Sequence, residues 1–126
     1  MRFEHGNWFE AEWEPVRTGI SRVVFGISAE GTTLAVADVR NGHETKPHSH
    51  PAQQVVVIMQ GTCVFHVGGE QYPAKRGSWI VIPPNVEHYI EVTDSREPVL
   101  NLDIFVPARP DYAKAYTDFL QGRGNK

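Results

Sequence analysis

The stretch that decides the fold is residues 42–61, which read GHETKPHSHPAQQVVVIMQG. Two histidines, His48 and His50, lie near its middle, and a proline flanks the pair on each side, which favours an extended backbone there. In an extended chain successive side chains point to opposite faces, so His48 and His50 point the same way. Gln54 is an even number of residues from both histidines, so in an extended chain its side chain points to the same face. The stretch therefore predicts a partly preorganised group of metal-binding side chains.

A second stretch, residues 77–88, reads GSWIVIPPNVEH and ends on another histidine. Its two prolines cannot continue a central strand and should turn the backbone just before the next strand. His88, at the entry to that strand, could reach the first stretch. Each histidine alone could equally be an ordinary residue of an exposed loop. The two glycine-framed stretches together favour a metal site.

Three imidazoles and one amide oxygen are a sufficient ligand set for a divalent ion, and they leave coordination positions open for water or substrate. We therefore predict that one metal ion, which could be nickel, zinc, iron or manganese, is bound by His48, His50, Gln54 and His88. Open positions on the ion indicate chemistry or ligand exchange.

Short β-rich segments separated by glycine, proline and polar turns make up most of the chain. They are residues 20–27, 32–40, 54–60, 62–67, 72–76, 79–82, 89–93 and 99–106. This pattern predicts an all-β, antiparallel jelly roll, either closed or sandwich-like. From Pro110 onwards, apolar residues recur every three and four positions instead of every two. This spacing predicts a short C-terminal helix over about 110–121 that packs on the barrel.

One predicted strand, residues 55–59, is apolar on both faces. Such a strand is expected to be buried on both sides. One side would face the barrel interior, and the other would be covered by a second sheet, by the N-terminal strands or by another subunit. Both a core strand and a homodimer interface fit this pattern, and we expect a homodimer.

The strand near the C-terminus carries a charged residue, Asp103, among apolar ones. By alternation Asn101, Asp103 and Phe105 share one face. Burial of a carboxylate costs several kcal/mol unless the group is paired or used. Asp103 could therefore lie near the metal and transfer protons, or form an ion pair with Arg109 or Arg40, and the sequence leaves both possibilities open.

The two motif stretches resemble the two signature motifs of the cupin superfamily, a resemblance that implies a jelly-roll barrel of the double-stranded β-helix type. In most cupins a glutamate stands where this chain has Gln54. The amide removes one negative charge from the ligand set. A metal held by neutral ligands keeps its full positive charge and is a stronger Lewis acid towards an anionic substrate oxygen.

The pattern Asp103-x-Phe105-x-Pro107-x-Arg109, together with Gln54, is similar to the pectin-degradation cupins of the KdgF type. That family converts 4,5-unsaturated uronates to linear 5-keto-4-deoxyuronates. The resemblance implies that Asp103 acts as acid or base, that Arg109 meets the substrate carboxylate and that Phe105 is a wall of the pocket. An arginine suits a carboxylate by its two-pronged geometry.

Two other functions fit the same residues. An iron(II)-dependent dioxygenase also uses histidines and open metal positions, and turnover without oxygen would exclude it. A non-catalytic cupin that binds a small ligand would keep that ligand when Asp103 is replaced by alanine, whereas an acid–base enzyme would lose turnover.

Composition limits the remaining classes. The chain has 126 residues, 40% of them hydrophobic, and a formal net charge of -3 at pH 7, as expected for one domain spanning residues 1–126. No basic cluster indicates nucleic-acid binding, and no apolar run is long enough for a membrane span or a signal core. Cys63 is the only cysteine, so no internal disulfide can form. We expect a cytoplasmic protein whose partner is a small, carboxylate-bearing substrate.

Overall fold

A computed structural model of the chain describes residues 3–28, 31–107 and 109–124. Within these residues the strands are β1 (Glu14–Arg17), β2 (Ile20–Ile27), β3 (Thr33–Val39), β4 (Gln53–Gln60), β5 (Thr62–Val67), β6 (Glu70–Lys75), β7 (Trp79–Ile82), β8 (His88–Glu91) and β9 (Val99–Val106). The helix α1 spans Ala113–Gly124, and short 3-10 turns span Trp8–Glu10 and Pro110–Tyr112.

The strands form two antiparallel sheets. One has the order β1-β2-β3-β9-β4-β7 and the other the order β6-β5-β8. Strands that are distant in the chain, such as β4 and β9, therefore become neighbours, as in a jelly roll. The predicted all-β jelly roll with a short C-terminal helix is confirmed.

The main core lies between the two sheets and consists of small and medium apolar side chains. They are Ile20, Val39, Val56, Ile58, Cys63, Phe65, Ala74, Ile82, Val92 and Val99. In β4 the inward residues Val56 and Ile58 are buried, whereas the outward Val55 and Val57 are only half-buried. The expectation that this strand is buried on both faces is therefore wrong for the single chain, because no described element fully covers its outer face.

The helix α1 packs on β2 and β3. Tyr116 joins Val24 and Ala35 in a second buried cluster, and Phe119 packs against it, as the spacing of three and four predicted. The α-helix begins at Ala113 rather than at residue 110. The first turn is a 3-10 turn, a tightening that is common at helix N-termini.

Strand β1, a short edge strand that contains Pro15, was not predicted from the sequence. An edge strand tolerates proline because it needs few ladder hydrogen bonds. Pairing of Arg17 with Ile20 brings this strand back along β2 towards the barrel. In the described part of the chain, no helix has the length and apolar character that crossing a membrane requires.

Two glycines, one at the end of the first motif stretch and one at the start of the second, are required by the turns they form. Gly61, between β4 and β5, has a φ of 85°, and Gly77, between β6 and β7, has a φ of 92°. Residues other than glycine rarely adopt a positive φ of this size. At Gly61 a Cβ atom would also lie 2.9 Å from Ser95 Oγ. Both turns are therefore fixed by the absence of a side chain.

Candidate metal centre

The histidines of the two motif stretches lie side by side. His48 and His88 form an antiparallel bridge, in which each backbone N–H donates to the carbonyl of the other, at 3.1 and 2.9 Å. His50 lies next to them, with its ring centre 4.9 Å from that of His88. Ring nitrogens of all three lie within 4.8 Å of one another. The three histidines are therefore close enough to hold one metal ion.

The hydrogen bonds of the rings fix which nitrogen carries the proton. In each ring Nδ1 bonds a backbone carbonyl two residues away along the chain. The distances are 2.7 Å from His48 to Lys46, 2.8 Å from His50 to Ala52 and 2.8 Å from His88 to Val86. A carbonyl only accepts, so each Nδ1 must carry the hydrogen, and each Nε2 keeps its lone pair for a metal.

Gln54 completes the group of converging acceptor atoms. Its Oε1 lies 3.2 Å from His50 Nε2 and 3.0 Å from His88 Nε2. With the protons on Nδ1, these imidazole nitrogens cannot donate to the amide oxygen. Lone pairs that face one another without a donor are unfavourable, and a cation between them would remove the repulsion. The residues therefore fit a divalent metal ion.

Burial lowers the pKa of His48 and of His88, which favours the neutral imidazole that metal binding requires. The pKa of His88 is lowered to about 4, mainly by burial and to a smaller extent by His48 and His50, although its Val86 hydrogen bond opposes the change. The pKa of His48 is also lowered, mainly by burial, although its Lys46 hydrogen bond opposes the change. His50 and His88 are 8% and 3% exposed, and His48 is the most exposed of the three.

Asp103 lies directly behind Gln54. Its Oδ1 accepts hydrogen bonds from Gln54 Nε2 at 2.9 Å and from Asn101 Nδ2 at 3.0 Å. Among the described residues none donates to its Oδ2. One amide group thus connects the metal ligands to the carboxylate, because the Gln54 oxygen faces the imidazoles and its nitrogen faces Asp103. Such an outer hydrogen bond fixes the orientation of a metal ligand.

The ion pair considered for Asp103 is not formed. Arg109 bonds Asp111 instead, through Nε at 2.9 Å and Nη2 at 2.5 Å. Arg40 bonds Asp38 at 3.2 Å. Burial consequently raises the pKa of Asp103 to about 7, although the hydrogen bonds from the two amides and the more distant arginines oppose the change.

Asn101 has one buried polar atom without a partner. Within the described residues, its Oδ1 is the buried side-chain atom that lacks a hydrogen bond, while its Nδ2 is bonded to Asp103. An unpaired buried acceptor costs about 1–3 kcal/mol. This orphaned oxygen lies in the same polar network as the carboxylate and the metal ligands.

These groups line one cavity of about 350 Å³, a size suited to a small ligand. Besides the four proposed ligands, its lining includes Asp103, Phe105, Tyr112 and four basic side chains, Arg17, Arg22, Lys46 and Arg109. The structure thus brings all the predicted site residues together in one pocket. Their roles as ligands and catalytic groups remain proposals.

Aromatic rings form one wall of this pocket. Phe105 is 2% exposed and meets the ring of His50 edge-on, at 5.5 Å between centres. On its other side Tyr112 also meets it edge-on, at 5.3 Å. The guanidinium of Arg109 lies over both Phe105 and Tyr112, at 5.0 and 4.6 Å. Phe105 therefore lines the cavity, and its contact with a substrate stays a prediction.

Sequence reasoning missed several pocket residues. Arg22 lies between Ile20 and Val24 on the inward face of β2. It is a charged residue among apolar ones, as Asp103 is, so the same reasoning would have identified it. Tyr112, in the 3-10 turn before α1, also lines the pocket. Arg17 comes from the unpredicted strand β1 and gave no signal.

Two further histidines, His43 and His66, do not join the site. The His66 side chain is 16% exposed, stacks on Tyr89 at 4.2 Å and lies 3.1 Å from Glu91. His43 is buried, and its Nε2 accepts a hydrogen bond from the backbone N–H of Val92. Both are held by structural contacts.

The family follows from comparison with known proteins. Residues 35–105, more than half of the chain, match the Cupin_2 family, described as a cupin domain. The chain is a cupin. The matched region of this cupin includes the four proposed ligands, Asp103 and Phe105, whereas Arg109 lies beyond it.

Individual relatives agree with this assignment. The L-ectoine synthase of Vibrio campbellii is 33% identical over 89 residues, which cover 70% of this cupin and 66% of the synthase. Among solved structures, KdgF from Halomonas sp. has a TM-score of 0.74 at 23% identity, covering 85% of this cupin and 98% of that chain. An RmlC-like cupin from Shewanella frigidimarina has a TM-score of 0.75 at 23% identity, covering 85% and 93%. At these identities the solved structures show a common fold.

Proposed function

We propose that this cupin is a metal-dependent enzyme that acts on a small carboxylate-bearing substrate, and that its reaction is the ketonisation of 4,5-unsaturated uronates. The observation that carries the proposal is the joint position of the metal ligands and the acid–base group. The Gln54 amide contacts His50 and His88 with its oxygen and Asp103 with its nitrogen. A pure binding module has no need of a carboxylate with a free oxygen beside the metal ligands.

The resemblance to KdgF-type proteins supports the choice of substrate. It rests on Gln54 in place of glutamate and on the pattern formed by Asp103, Phe105, Pro107 and Arg109. The fold shared with KdgF and the 350 Å³ cavity are compatible with a monosaccharide acid. The basic side chains of the lining favour an anionic ligand.

The proposed reaction is an isomerisation that needs no co-reactant. The C1–O5 bond of the cyclic hemiacetal breaks, the C1 hydroxyl loses a proton as the aldehyde forms, and the enol at C5 becomes a ketone when C4 gains a proton. The chemistry that a divalent ion supplies in such a site is Lewis acidity towards a bound oxygen. His48, His50, Gln54 and His88 would hold the ion.

Asp103 is the residue proposed to move the proton. Its Oδ1 is held by two amide donors, so the carboxylate keeps one orientation, while its Oδ2 remains available to substrate. A group held in this way can accept a proton from one substrate atom and return it to another. Arg109 and Phe105 line the same space and would orient the sugar acid.

The test combines metal analysis with an oxygen-free assay. Purified protein should contain close to one divalent ion per chain, and it should remove the ultraviolet absorbance of a 4,5-unsaturated uronate under anaerobic conditions. His48→Ala should lose both the metal and the activity, whereas His66→Ala, the replacement of a histidine outside the pocket, should keep both. Asp103→Asn should keep the metal and lose turnover by about 100-fold or more.

The results separate the competing functions. Turnover that requires oxygen would indicate a dioxygenase, and metal binding without turnover of any unsaturated uronate would overturn the ketonisation proposal. Undiminished turnover in Asp103→Asn would remove this residue from the mechanism.

The proposal includes a homodimer. The outer face of the six-stranded sheet carries large apolar side chains that water would otherwise contact: Trp79 is 66%, Val81 48% and Val106 47% exposed. β7 pairs with β4 in a register that places Trp79 opposite Val57 and Val81 opposite Val55. A continuous apolar face of this kind marks an interaction site, and a second copy of the chain is the proposed occupant.

The proposed location is the cytoplasm. Its support is the single cysteine, Cys63, which is buried and free, as suits a reducing compartment.

A further inference from the structure

We propose that Arg17, together with Lys46, forms the subsite that receives the carboxylate of the substrate, so that the pocket selects a free acid over a neutral ester. This inference rests on the proposed function in that it concerns the substrate of the same pocket. It assigns the acid-binding role to side chains on the first strand and on the loop before His48, rather than to Arg109.

The Nε and Nη2 groups of Arg109 are already bonded to a carboxylate. Asp111 accepts from Nε and from Nη2 with separate carboxylate oxygens, at 2.9 and 2.5 Å. This is the paired geometry by which arginine binds a carboxylate. A substrate acid would have to displace Asp111 to use the same face. The charge of Arg109 is thus largely neutralised within the protein.

Arg22 is also bonded to a carboxylate of the protein. Its Nε and Nη2 both bond Glu14 Oε1 at 2.9 Å, and its guanidinium lies 4.3 Å from the centre of the Tyr112 ring. Arg22 therefore already has a carboxylate partner. Of the basic side chains that line the cavity, two remain.

These two, Arg17 and Lys46, form no ion pair with any described carboxylate. Arg17 is half-buried, and its Nε donates to the backbone carbonyl of Glu44 at 2.8 Å. That bond anchors the guanidinium but leaves its terminal Nη1 and Nη2 groups without a bonding partner among the described residues. The two terminal nitrogens can receive both oxygens of one carboxylate.

The anchor also connects the subsite to the metal loop. Glu44 lies two residues before Lys46, and the Lys46 carbonyl accepts the Nδ1 hydrogen of His48. Arg17 and His48 also line the same cavity. A ligand whose carboxylate binds Arg17 therefore lies beside the metal-binding group.

The charge distribution favours the same conclusion. The chain as a whole has a net charge of -3, yet this mouth of the pocket carries two cations without carboxylate partners. A positive rim on an acidic protein attracts an anionic ligand selectively to that site.

Binding of a sugar acid and of its ester tests the inference without relying on turnover. The probes are galacturonate and its methyl ester, which are saturated and cannot undergo ketonisation, titrated into the metal-loaded protein by calorimetry. Native protein should prefer the acid by about 10- to 100-fold, the value expected for a charge-assisted hydrogen-bonded pair. Arg17→Gln should bind both compounds equally weakly, and Arg109→Gln should keep the preference.

Two further variants keep the test decisive. Arg40→Gln changes an arginine that is bonded to Asp38 outside the pocket and should behave as the native protein does. Arg17→Lys keeps the charge but lacks the two-pronged geometry; it should retain a reduced preference, and it replaces Arg17→Gln if that variant does not fold.

The inference is overturned if native protein binds neither compound or binds both equally, if the preference survives in Arg17→Gln, or if it disappears in Arg109→Gln. Its failure differs from that of the proposed function. A protein that shows Arg17-dependent selection of the acid but no ketonisation would refute the reaction and leave the subsite in place. In a ketonising protein, loss of Arg17 should raise KM far more than it lowers kcat.

Discussion

At the scale of single residues, the Gln54 amide performs two tasks at once. Its oxygen faces the imidazole nitrogens of His50 and His88, and its nitrogen donates to Asp103. A glutamate could supply the oxygen but could not donate to a carboxylate. The amide thus allows a neutral ligand set to lie directly against an acid–base residue.

The first prediction is that Gln54→Glu keeps the metal but impairs the chemistry. The new carboxylate supplies an oxygen ligand, but it removes a hydrogen bond from Asp103 and places a like charge beside it, which should raise the pKa of Asp103 further. We expect kcat/KM to fall by about 10- to 100-fold, the usual effect of a lost outer hydrogen bond. Metal content and steady-state kinetics check this.

The matched control is Gln53→Glu, which adds the same charge one residue earlier, on the opposite face of β4. It should leave both the metal and the kinetics near native values. The prediction is contradicted if Gln54→Glu loses its metal while activity per bound metal ion stays unchanged.

The second prediction concerns the pH dependence of stability in the metal-free protein. The pKa of Asp103 is raised from 3.8 to about 7, so the folded state holds this proton more tightly than the unfolded chain. The resulting stability is fully present below the unfolded pKa and is lost as the pH rises through about 7, at up to about 1.4 kcal/mol per pH unit. Asp103→Asn should remove this contribution.

The Asp103→Asn variant should therefore be more stable than the native protein at pH 8 and inactive. The new amide can still accept a hydrogen bond from Gln54. After rotation of the Asn101 amide, it can also donate to Asn101 Oδ1, which lacks a partner in the native protein. Urea unfolding of both metal-free proteins from pH 5 to pH 8 measures the difference. Parallel stability curves would show that Asp103 does not titrate in this range.

At the scale of elements, β4 explains how one apolar segment serves two purposes. Its inward residues join the core, and its outward residues, although equally apolar, remain half-buried. Alternation along the strand predicts which residue has which role, since successive side chains point to opposite faces. The sequence alone did not show that only one face is covered.

The third prediction follows from that difference. Ile58 is 1% exposed in the main core, so Ile58→Ala should leave a cavity and lower the free energy of unfolding by about 2–5 kcal/mol. Val57→Ala, the truncation of the outward neighbour, should lower it by about 1 kcal/mol or less, because less apolar surface is buried there. Urea denaturation of the two variants gives the comparison, and equal losses would contradict the assigned facing.

At the scale of the whole molecule, the exposed apolar face and the pocket lie on opposite sides of the larger sheet. The metal ligands, Asp103 and Arg17 line the interior, whereas Trp79, Val81 and Val106 are exposed on the outside of the larger sheet. Association through that face would leave the interior cavity accessible. Assembly and catalysis can therefore be perturbed separately.

The fourth prediction is that the protein sediments as a dimer and that Trp79→Glu combined with Val81→Glu yields a folded monomer. The two charges would be buried without partners at the proposed interface, which is strongly unfavourable. Tyr72→Glu is the control, because Tyr72 is 45% exposed on the smaller sheet. Sedimentation velocity measures the masses. A native monomer, or a dimer unaffected by the double substitution, would contradict this assignment.

The sequence by itself determined the features that depend on local pattern. Period-two alternation placed Asp103 and Phe105 on one face of their strand, glycines and prolines indicated the turns, and the spacing of three and four predicted that α1 packs on the barrel. Each of these follows from the geometry of a single strand or helix. The same reasoning selected His48, His50 and His88 before any contact between them was known.

Only the tertiary structure decided which distant residues meet. The register of β4 against β9 brings Gln54 to Asp103, the bridge between His48 and His88 closes the ligand group, and the edge strand β1 carries Arg17 to the mouth of the pocket. Strand order and register arise from packing of the whole chain, and no local pattern encodes them. For the same reason the sequence could not show that Arg109 already holds Asp111 while Arg17 has no carboxylate partner in the described structure.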